Sequence, residues 1–254
     1  MSDNPYAAPA EDPISMHAAG ELGTSPYGPY RDLGLISKLV IGVFLTGAFI
    51  SGGRIYAIMS YNEAFTRFFE DLQTADEVDR WAEIESQLHT ASLVTLAASI
   101  ILWCMWKNMS CKNAWLFRSA RPPTRLDRIT SLQNLQSSAE TFTPGWAVGW
   151  YFIPFANLWK PYQAMSFIRN EVAEQFRGGN LVGLWWLSYV VMNIGSAFLN
   201  RKSDYSDTIN AIHHQNQNLV IAHGLTIAAT IFAVSVVIVL TRAQKEKARA
   251  LGAI

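Results

Sequence analysis

Long uncharged apolar runs alternate with short charged stretches along this chain. Uncharged runs cover residues 86–106, 141–159, 178–200 and 215–241, and a shorter run covers 39–53 between Lys38 and Arg54. A helix needs about 20 apolar residues to cross about 30 Å of hydrocarbon. The short run reaches this length, at about 33–59, if Lys38 and Arg54 extend their charged ends to the interface. The pattern therefore predicts an all-α integral membrane protein.

The runs predict four spans, at about 33–59, 86–106, 181–199 and 218–241. The sequence Thr74-Ala75-Asp76-Glu77 fits a capping box, in which a hydroxyl and a carboxylate three residues later cap a helix start. We therefore expect the second helix to begin near Ala75, outside the bilayer, and to end near Trp106. With the projecting end of the first helix it would form a short acidic hairpin over residues 60–89.

The fifth run, at 144–159, has a proline in its middle. Pro154 must bend or end any helix there, and residues 162–177 then follow an amphipathic helical pattern. If 144–159 crosses the bilayer, Lys and Arg divide nine to nine between the two sides. If it dips in and returns, 14 lie on the cytoplasmic side and four outside, as the positive-inside rule requires. We therefore predict a four-span helical bundle with one re-entrant or interfacial broken helix, an amphipathic cytoplasmic-side helix, and both termini cytoplasmic.

The two ends of the chain differ from the membrane domain at 33–243. Residues 1–32 are rich in Pro, Ala and Gly, which predicts a disordered cytoplasmic tail without a secretory signal peptide. Residues 244–254 predict a short basic cytoplasmic tail.

The composition indicates which kinds of molecule the protein is expected to bind. Hydrophobic residues make up 50% of the chain, and 20 Lys and Arg balance 20 Asp and Glu. A nucleic-acid-binding surface needs an excess of basic charge, so we expect membrane lipids and other inner-membrane proteins as partners, and no nucleic acid. Cys104 and Cys111 are predicted to be reduced packing thiols, and we expect neither a cofactor nor a metal.

The broken segment contains the first group of candidate site residues. The carboxamide of Asn157 can satisfy backbone groups that are freed at the helix break, and Lys160 can reach a headgroup phosphate. A rigid interfacial corner and a lipid or small-ligand site both fit this pattern. The candidate residues are Trp146, Trp150, Asn157, Trp159, Lys160 and Tyr162.

A second group consists of polar residues inside or beside the last two spans. Asn193 and His223 lie within spans, where polar groups usually find a partner. Two explanations fit them: a hydrogen bond between helices that joins His223 to Asn193 or to a serine, or a role as a proton relay or ligand contact. His213 and His214 fall in a connector predicted at 200–217, where we expect a solvated loop and no metal site.

The broken segment also carries a family resemblance. Pro144–Trp150, Phe152–Pro154, Asn157–Trp159 and Lys160–Tyr162 resemble the core motif of a bacterial membrane family catalogued as domain of unknown function 4328. The resemblance covers about residues 33–243. It implies a bacterial inner-membrane location and brings no catalytic residues with it.

No residue set in the sequence forms a catalytic signature, and three classes of function remain open. We favour a non-enzymatic inner-membrane scaffold or accessory protein that acts through helix–helix and lipid contacts. A small-molecule or lipid-binding transport component would use the re-entrant segment, and a polar cavity running from Asn157 toward His223 would favour it. A lipid-modifying membrane enzyme would need His213, His214 and carboxylates to converge.

Overall fold

The computed structural model describes residues 25–70, 75–120, 143–199 and 209–254. Within these ranges the chain forms six α-helices and no strand, which confirms the all-α prediction. The helices are α1 (Gly34–Phe69), α2 (Ala75–Ser119), α3 (Pro144–Gly149), α4 (Lys160–Glu171), α5 (Leu181–Leu199) and α6 (Ile209–Ala250).

Four of these helices are long and apolar enough to cross a membrane, namely α1, α2, α5 and α6. The structure thus confirms the four predicted candidate spans. At 1.5 Å per residue, the 45 residues of α2 extend for about 68 Å, more than twice the hydrocarbon thickness of about 30 Å. The ends of α2 must therefore project beyond any bilayer that it crosses.

Helix α2 begins where the sequence predicts and ends much later. It starts at Ala75, while the predicted capping residue Thr74 lies outside the described residues. The predicted end near Trp106 is wrong, because the helix continues to Ser119. The extra turns contain no glycine or proline, and they bury Lys107, Phe117 and other side chains against neighbouring elements.

Helix α6 is longer than its predicted span at both ends. It begins at Ile209, so His213 and His214 are helical residues, and the predicted loop at 200–217 is wrong from 209 onward. The ring of His213 packs against Phe65 of α1, with centroids 6.3 Å apart. At the other end, Gln244 and Ala248 are fully buried, and this burial keeps the predicted basic tail helical as far as Ala250.

The residues just before α1 pack against the bundle. The ring of Tyr27 lies 5.9 Å from that of Trp115, and Tyr30 lies 6.2 Å from Phe117. Residues 25–32 are therefore not a free tail, because their aromatic rings cover the end of α2. The rest of the predicted tail, residues 1–24, lies outside the described residues.

The amphipathic helix is shorter than predicted. Helix α4 covers Lys160–Glu171 instead of residues 162–177. Met165, Ile168 and Val172 are all fully buried and form the apolar stripe that the sequence indicates. The amide of Val172 donates to the carbonyl of Arg169 at 3.1 Å, so the chain leaves the helical path there as Val172 enters the core.

The core lies at one end of the bundle. It joins the start of α1, the end of α2, the start of α5 and the end of α6, with α4 packed beside them. Helix α1 packs against both α2 and α6, and α5 packs against α6. A ring contact between Trp103 and Trp185 also brings α5 to α2. Because successive long helices meet this end alternately by their starts and their ends, they alternate in direction.

Candidate functional site

The predicted broken helix is divided into short pieces. Helix α3 is capped by Thr143, whose hydroxyl oxygen accepts from the amide of Trp146 at 3.4 Å. Two single 3-10 turns follow, at Trp150–Phe152 and Ala156–Leu158. Between them Phe155 has a φ of +63°, a left-handed conformation that is rare for a bulky side chain. The chain therefore reverses direction around Pro154.

Both ends of this segment, residues 144–161, are bound to α2. The side-chain amide of Asn108 donates to the carbonyl oxygen of Pro144 at 3.0 Å. The amine of Lys107 donates to the carbonyl oxygen of Pro161 at 3.2 Å. Because Lys107 and Asn108 are consecutive residues, the segment begins and ends at the same level of α2.

Lys107 is the central group of this attachment. It is fully buried, and its Nζ also donates to the hydroxyl of Tyr151 at 2.9 Å. The same Nζ lies 4.3 Å from the centroid of the Tyr151 ring and 5.9 Å from that of Trp185. Among the residues that the structure describes, no carboxylate forms an ion pair with it.

Lys107 is not among the predicted site residues, because the second helix was predicted to end near Trp106. One signal could have found it. Lys107 lies four residues after Trp103 and four before Cys111, and residues at this spacing share one helix face. Both of these neighbours are buried, so a helix continued past Trp106 would have placed the lysine on an apolar face.

A second buried polar group lies farther along α2. The carboxamide of Asn113 accepts from the amide of Arg31 at 2.9 Å and donates to the carbonyl of Arg31 at 2.9 Å. It also donates to Oε1 of Gln244 on α6 at 3.1 Å. Gln244 in turn donates to the hydroxyl of Ser110 at 3.1 Å. This network ties α2 and α6 to the chain that precedes α1.

Three of the six predicted site residues form a cluster. The rings of Trp146 and Trp150 lie 4.7 Å apart, and Nζ of Lys160 lies 5.5 Å from the centroid of Trp150. Trp159, which precedes Lys160, is about half exposed. We call Trp146, Trp150 and Lys160 the aromatic–lysine corner.

Two other predicted site residues face α5 instead. The hydroxyl of Tyr189 donates to Oδ1 of Asn157 at 3.2 Å, and the ring of Tyr162 lies 6.3 Å from that of Trp186. Asn157 therefore accepts a hydrogen bond from a neighbouring helix. The sequence had instead suggested that its side chain bonds the backbone groups freed at the helix break. The polar atoms of the segment are largely used in contacts within the chain.

The expected hydrogen bond between Asn193 and His223 is not formed. The amide of Asn193 donates to the carbonyl of Tyr189 on its own helix at 2.8 Å. Nε2 of His223 is buried and has no hydrogen-bond partner within the described part of the chain. Asn193 lies on α5 and His223 on α6, and although these two helices pack together, the two side chains do not bond each other.

His223 instead lies within electrostatic range of Arg54, Glu85 and His89. The guanidinium of Arg54 donates to the carboxylate of Glu85 through Nε and Nη2, which joins α1 to α2. Because Glu85 directly precedes the uncharged run 86–106, this pair is compatible with a position near the interface, which stays a prediction. The side chain of Arg54 is buried inside the bundle because it has an acidic partner on the neighbouring helix.

One cavity lies between α1 and α6, away from the broken segment. Its volume is about 370 Å³, and Met59, Asn62, Gln217, Val220 and Ile221 line it. The amide of Asn216, next to this lining, hydrogen-bonds the side-chain oxygen of Asn62 at 2.6 Å. The cavity does not contact Asn157 or the aromatic–lysine corner.

Residues 70–242 match the family model described as domain of unknown function DUF4328, which is more than half of the chain. The chain belongs to this family. The match starts at residue 70, so the part of the expected resemblance that covered 33–69 lies outside it. No curated protein and no solved structure matches the chain.

The DUF4328 match contains the whole attachment of the broken segment. Lys107, Asn108, Tyr151 and both prolines lie within it, together with the aromatic–lysine corner. The second polar network reaches beyond it, since Arg31 precedes the match and Gln244 follows it. The attachment is thus internal to the DUF4328 domain, and the network joins that domain to the flanking chain.

Proposed function

We propose that this DUF4328 protein is a non-enzymatic scaffold or accessory protein of the bacterial inner membrane that acts through helix–helix and lipid contacts. One observation carries the proposal. In the 18-residue apolar window of α2, none of the residues is buried inside the chain. Because this apolar surface of α2 is not covered by the rest of the chain, lipid and helices of other proteins can pack against it.

We further propose four spans with both termini cytoplasmic and the 144–161 segment re-entrant. Three observations support this topology. Lys and Arg then divide 14 to four in favour of the cytoplasm. Pro144 and Pro161 bond consecutive residues of α2. Asn157 bonds Tyr189, whereas Tyr162 contacts Trp186, so the segment runs deeper along α5 before it returns.

The polar groups of the broken segment bond the rest of the chain and do not line the cavity between α1 and α6, which favours a scaffold over a transport component. Asn157, Tyr151 and the Pro161 carbonyl bond other parts of the chain and do not line the cavity between α1 and α6. A lipid-modifying enzyme is also less well supported. His213 and His214 are consecutive residues of α6, and consecutive helical residues point about 100° apart, so they are poorly placed to act on one centre.

Photo-crosslinking from two adjacent α2 positions tests the scaffold proposal. Val94 is 68% exposed, while Thr95 faces α1, with its Cγ2 3.5 Å from where a side chain on Gly47 would begin. We expect a crosslinker at Val94 to give protein adducts of defined mass in native membranes. A crosslinker at Thr95 should react within the chain. If both positions give lipid adducts alone, the proposal is wrong.

Cysteine labelling tests the orientation separately. Single cysteines at Arg67, Arg177 and Lys247 should differ in their reaction with a membrane-impermeant reagent added from outside. Only the cysteine at 67 should react, because the other two positions lie on the proposed cytoplasmic side. Labelling of position 177 from outside would exclude the re-entrant topology.

A further inference from the structure

The tip of the broken segment exposes large apolar side chains. Phe152 is 65% exposed and Phe155 is 78% exposed, and Trp146 and Trp159 are each close to half exposed. These rings lie on a segment whose polar atoms are largely bonded within the chain. What remains open to the surroundings is therefore an apolar surface beside the aromatic–lysine corner.

The surroundings of this surface are basic. Lys107 is fully buried, so the basic residues of 107–119 that reach the surface are Lys112 and Arg118. Residues 143–177 add Lys160, Arg169 and Arg177 against Glu171 and Glu174. Both stretches belong to the same end of the bundle, because Lys107 and Asn108 bond the segment directly. Basic residues near a membrane attract anionic lipids by about 1 kcal/mol each.

Lys160 lies between the exposed apolar rings and the basic stretches. Its Nζ lies beside the ring of Trp150, and its helix, α4, begins at the level where the segment returns to α2. Tryptophan and lysine together are typical of the headgroup level of a membrane. The exposed rings of Phe152 and Phe155 belong to the part of the segment between its two attachments.

We propose that the aromatic–lysine corner binds one anionic phospholipid of the bilayer. Its phosphate contacts Lys160 at the corner, and its acyl chains cover Phe152 and Phe155. The inference rests on the proposed membrane placement of the segment and names the lipid class that the protein contacts. Positive charge selects an anionic headgroup over a zwitterionic one, and exposed aromatic rings beside it match acyl chains.

Native mass spectrometry and thermal melting in a mild neutral detergent test this proposal. Purified protein is titrated with phosphatidylglycerol and, separately, with phosphatidylcholine. We expect one phosphatidylglycerol to bind and to raise the melting temperature, and phosphatidylcholine to have a smaller effect. Lys160→Gln should weaken phosphatidylglycerol binding about fivefold, as loss of one basic contact implies, and Lys160→Arg should restore it.

Lys245→Gln is the matched control, because Lys245 is an exposed basic residue of α6 with no part in the corner. It should bind phosphatidylglycerol as the wild type does. Equal binding of both lipids, or unchanged phosphatidylglycerol binding by Lys160→Gln, would overturn the proposal. A photo-crosslinker placed at position 155 should react with lipid, and a protein adduct there would also overturn it. The crosslinking experiment at Val94 measures protein adducts and does not depend on Lys160. A failure of the lipid site can therefore be distinguished from a failure of the scaffold proposal.

Discussion

Replacing Lys107 by methionine is the most direct test of how the broken segment is held. Methionine keeps a similar unbranched side chain and removes the amine. The Tyr151 hydroxyl and the Pro161 carbonyl then lose a donor that lies 2.9 and 3.2 Å away in the wild type. Because the site is fully buried, water cannot replace the amine without opening the packing.

Two opposing contributions set the size of the effect. A buried polar group left without its partner costs about 1–3 kcal/mol, so the two together cost about 2–6 kcal/mol. Removing a buried amine that has no carboxylate partner also relieves a desolvation penalty, which favours the variant. We expect the lost hydrogen bonds to dominate, and the free energy of unfolding to fall by about 2 kcal/mol.

Thermal melting in detergent and hydrogen exchange measure this effect. Lys107→Met should melt at a lower temperature, and amide exchange should become faster in residues 144–162 but not in α1. Lys112→Met is the control on the same helix, since Lys112 is only partly buried and its change should stay within about 0.5 kcal/mol. A double-mutant cycle with Tyr151→Phe should give a coupling of about 1 kcal/mol. If Lys107→Met melts at or above the wild-type temperature, the amine does not hold the segment and the reasoning is refuted.

Other predictions concern contacts elsewhere in the fold. Asn113→Ala removes both bonds to the backbone of Arg31, so we expect a loss of about 2–4 kcal/mol and faster amide exchange in residues 25–33. Asn157→Ala leaves the Tyr189 hydroxyl without its acceptor and should lower stability by about 1–3 kcal/mol, measured by detergent melting. Gly47→Ala should be tolerated, since its Cβ would lie 3.5 Å from the nearest side-chain atom. Gly195→Ala should be less stable in the same assay, because its Cβ would lie 3.1 Å from Leu225.

The sequence was sufficient to predict four helices that are long and apolar enough to cross a membrane, because hydropathy and length can be read from the sequence directly. The span predicted at 181–199 coincides with α5, where Gly and Asn close to each boundary mark both ends. The start of α2 at Ala75 was also predicted. The end of α2 and both ends of α6 were predicted poorly, because residues such as Lys245 and Lys247 suit an exposed helix and an exposed loop equally well.

The attachment of the broken segment could not be predicted for a related reason. A lysine is almost never fully buried without a partner, so the charge of Lys107 favoured a helix end near Trp106 over a buried position. Its partners, Tyr151 and the Pro161 carbonyl, are 44 and 54 residues away in the sequence. Hydropathy carries no information on such pairs, whereas the tryptophans and prolines of the segment stood out by residue type alone.

The position of the broken segment links its attachment to the lateral surface of the protein. Helices α2 and α5 meet at the attached end, where the rings of Trp103 and Trp185 lie 5.6 Å apart. The broken segment packs against α2, and α4 packs against both α2 and α5. The segment therefore helps to set the spacing of these two helices.

This geometry gives a final prediction, which joins the attachment to the proposed scaffold. Loosening the segment with Lys107→Met should let α2 and α5 change their spacing, so the surface that α2 presents will no longer match its partners. We expect the yield of protein adducts from a crosslinker at Val94 to fall in this variant, while Lys112→Met leaves it unchanged. An unchanged yield, measured in a variant whose residues 144–162 exchange faster, would show that the segment does not shape the lateral surface. Its attachment would then serve the lipid contact alone.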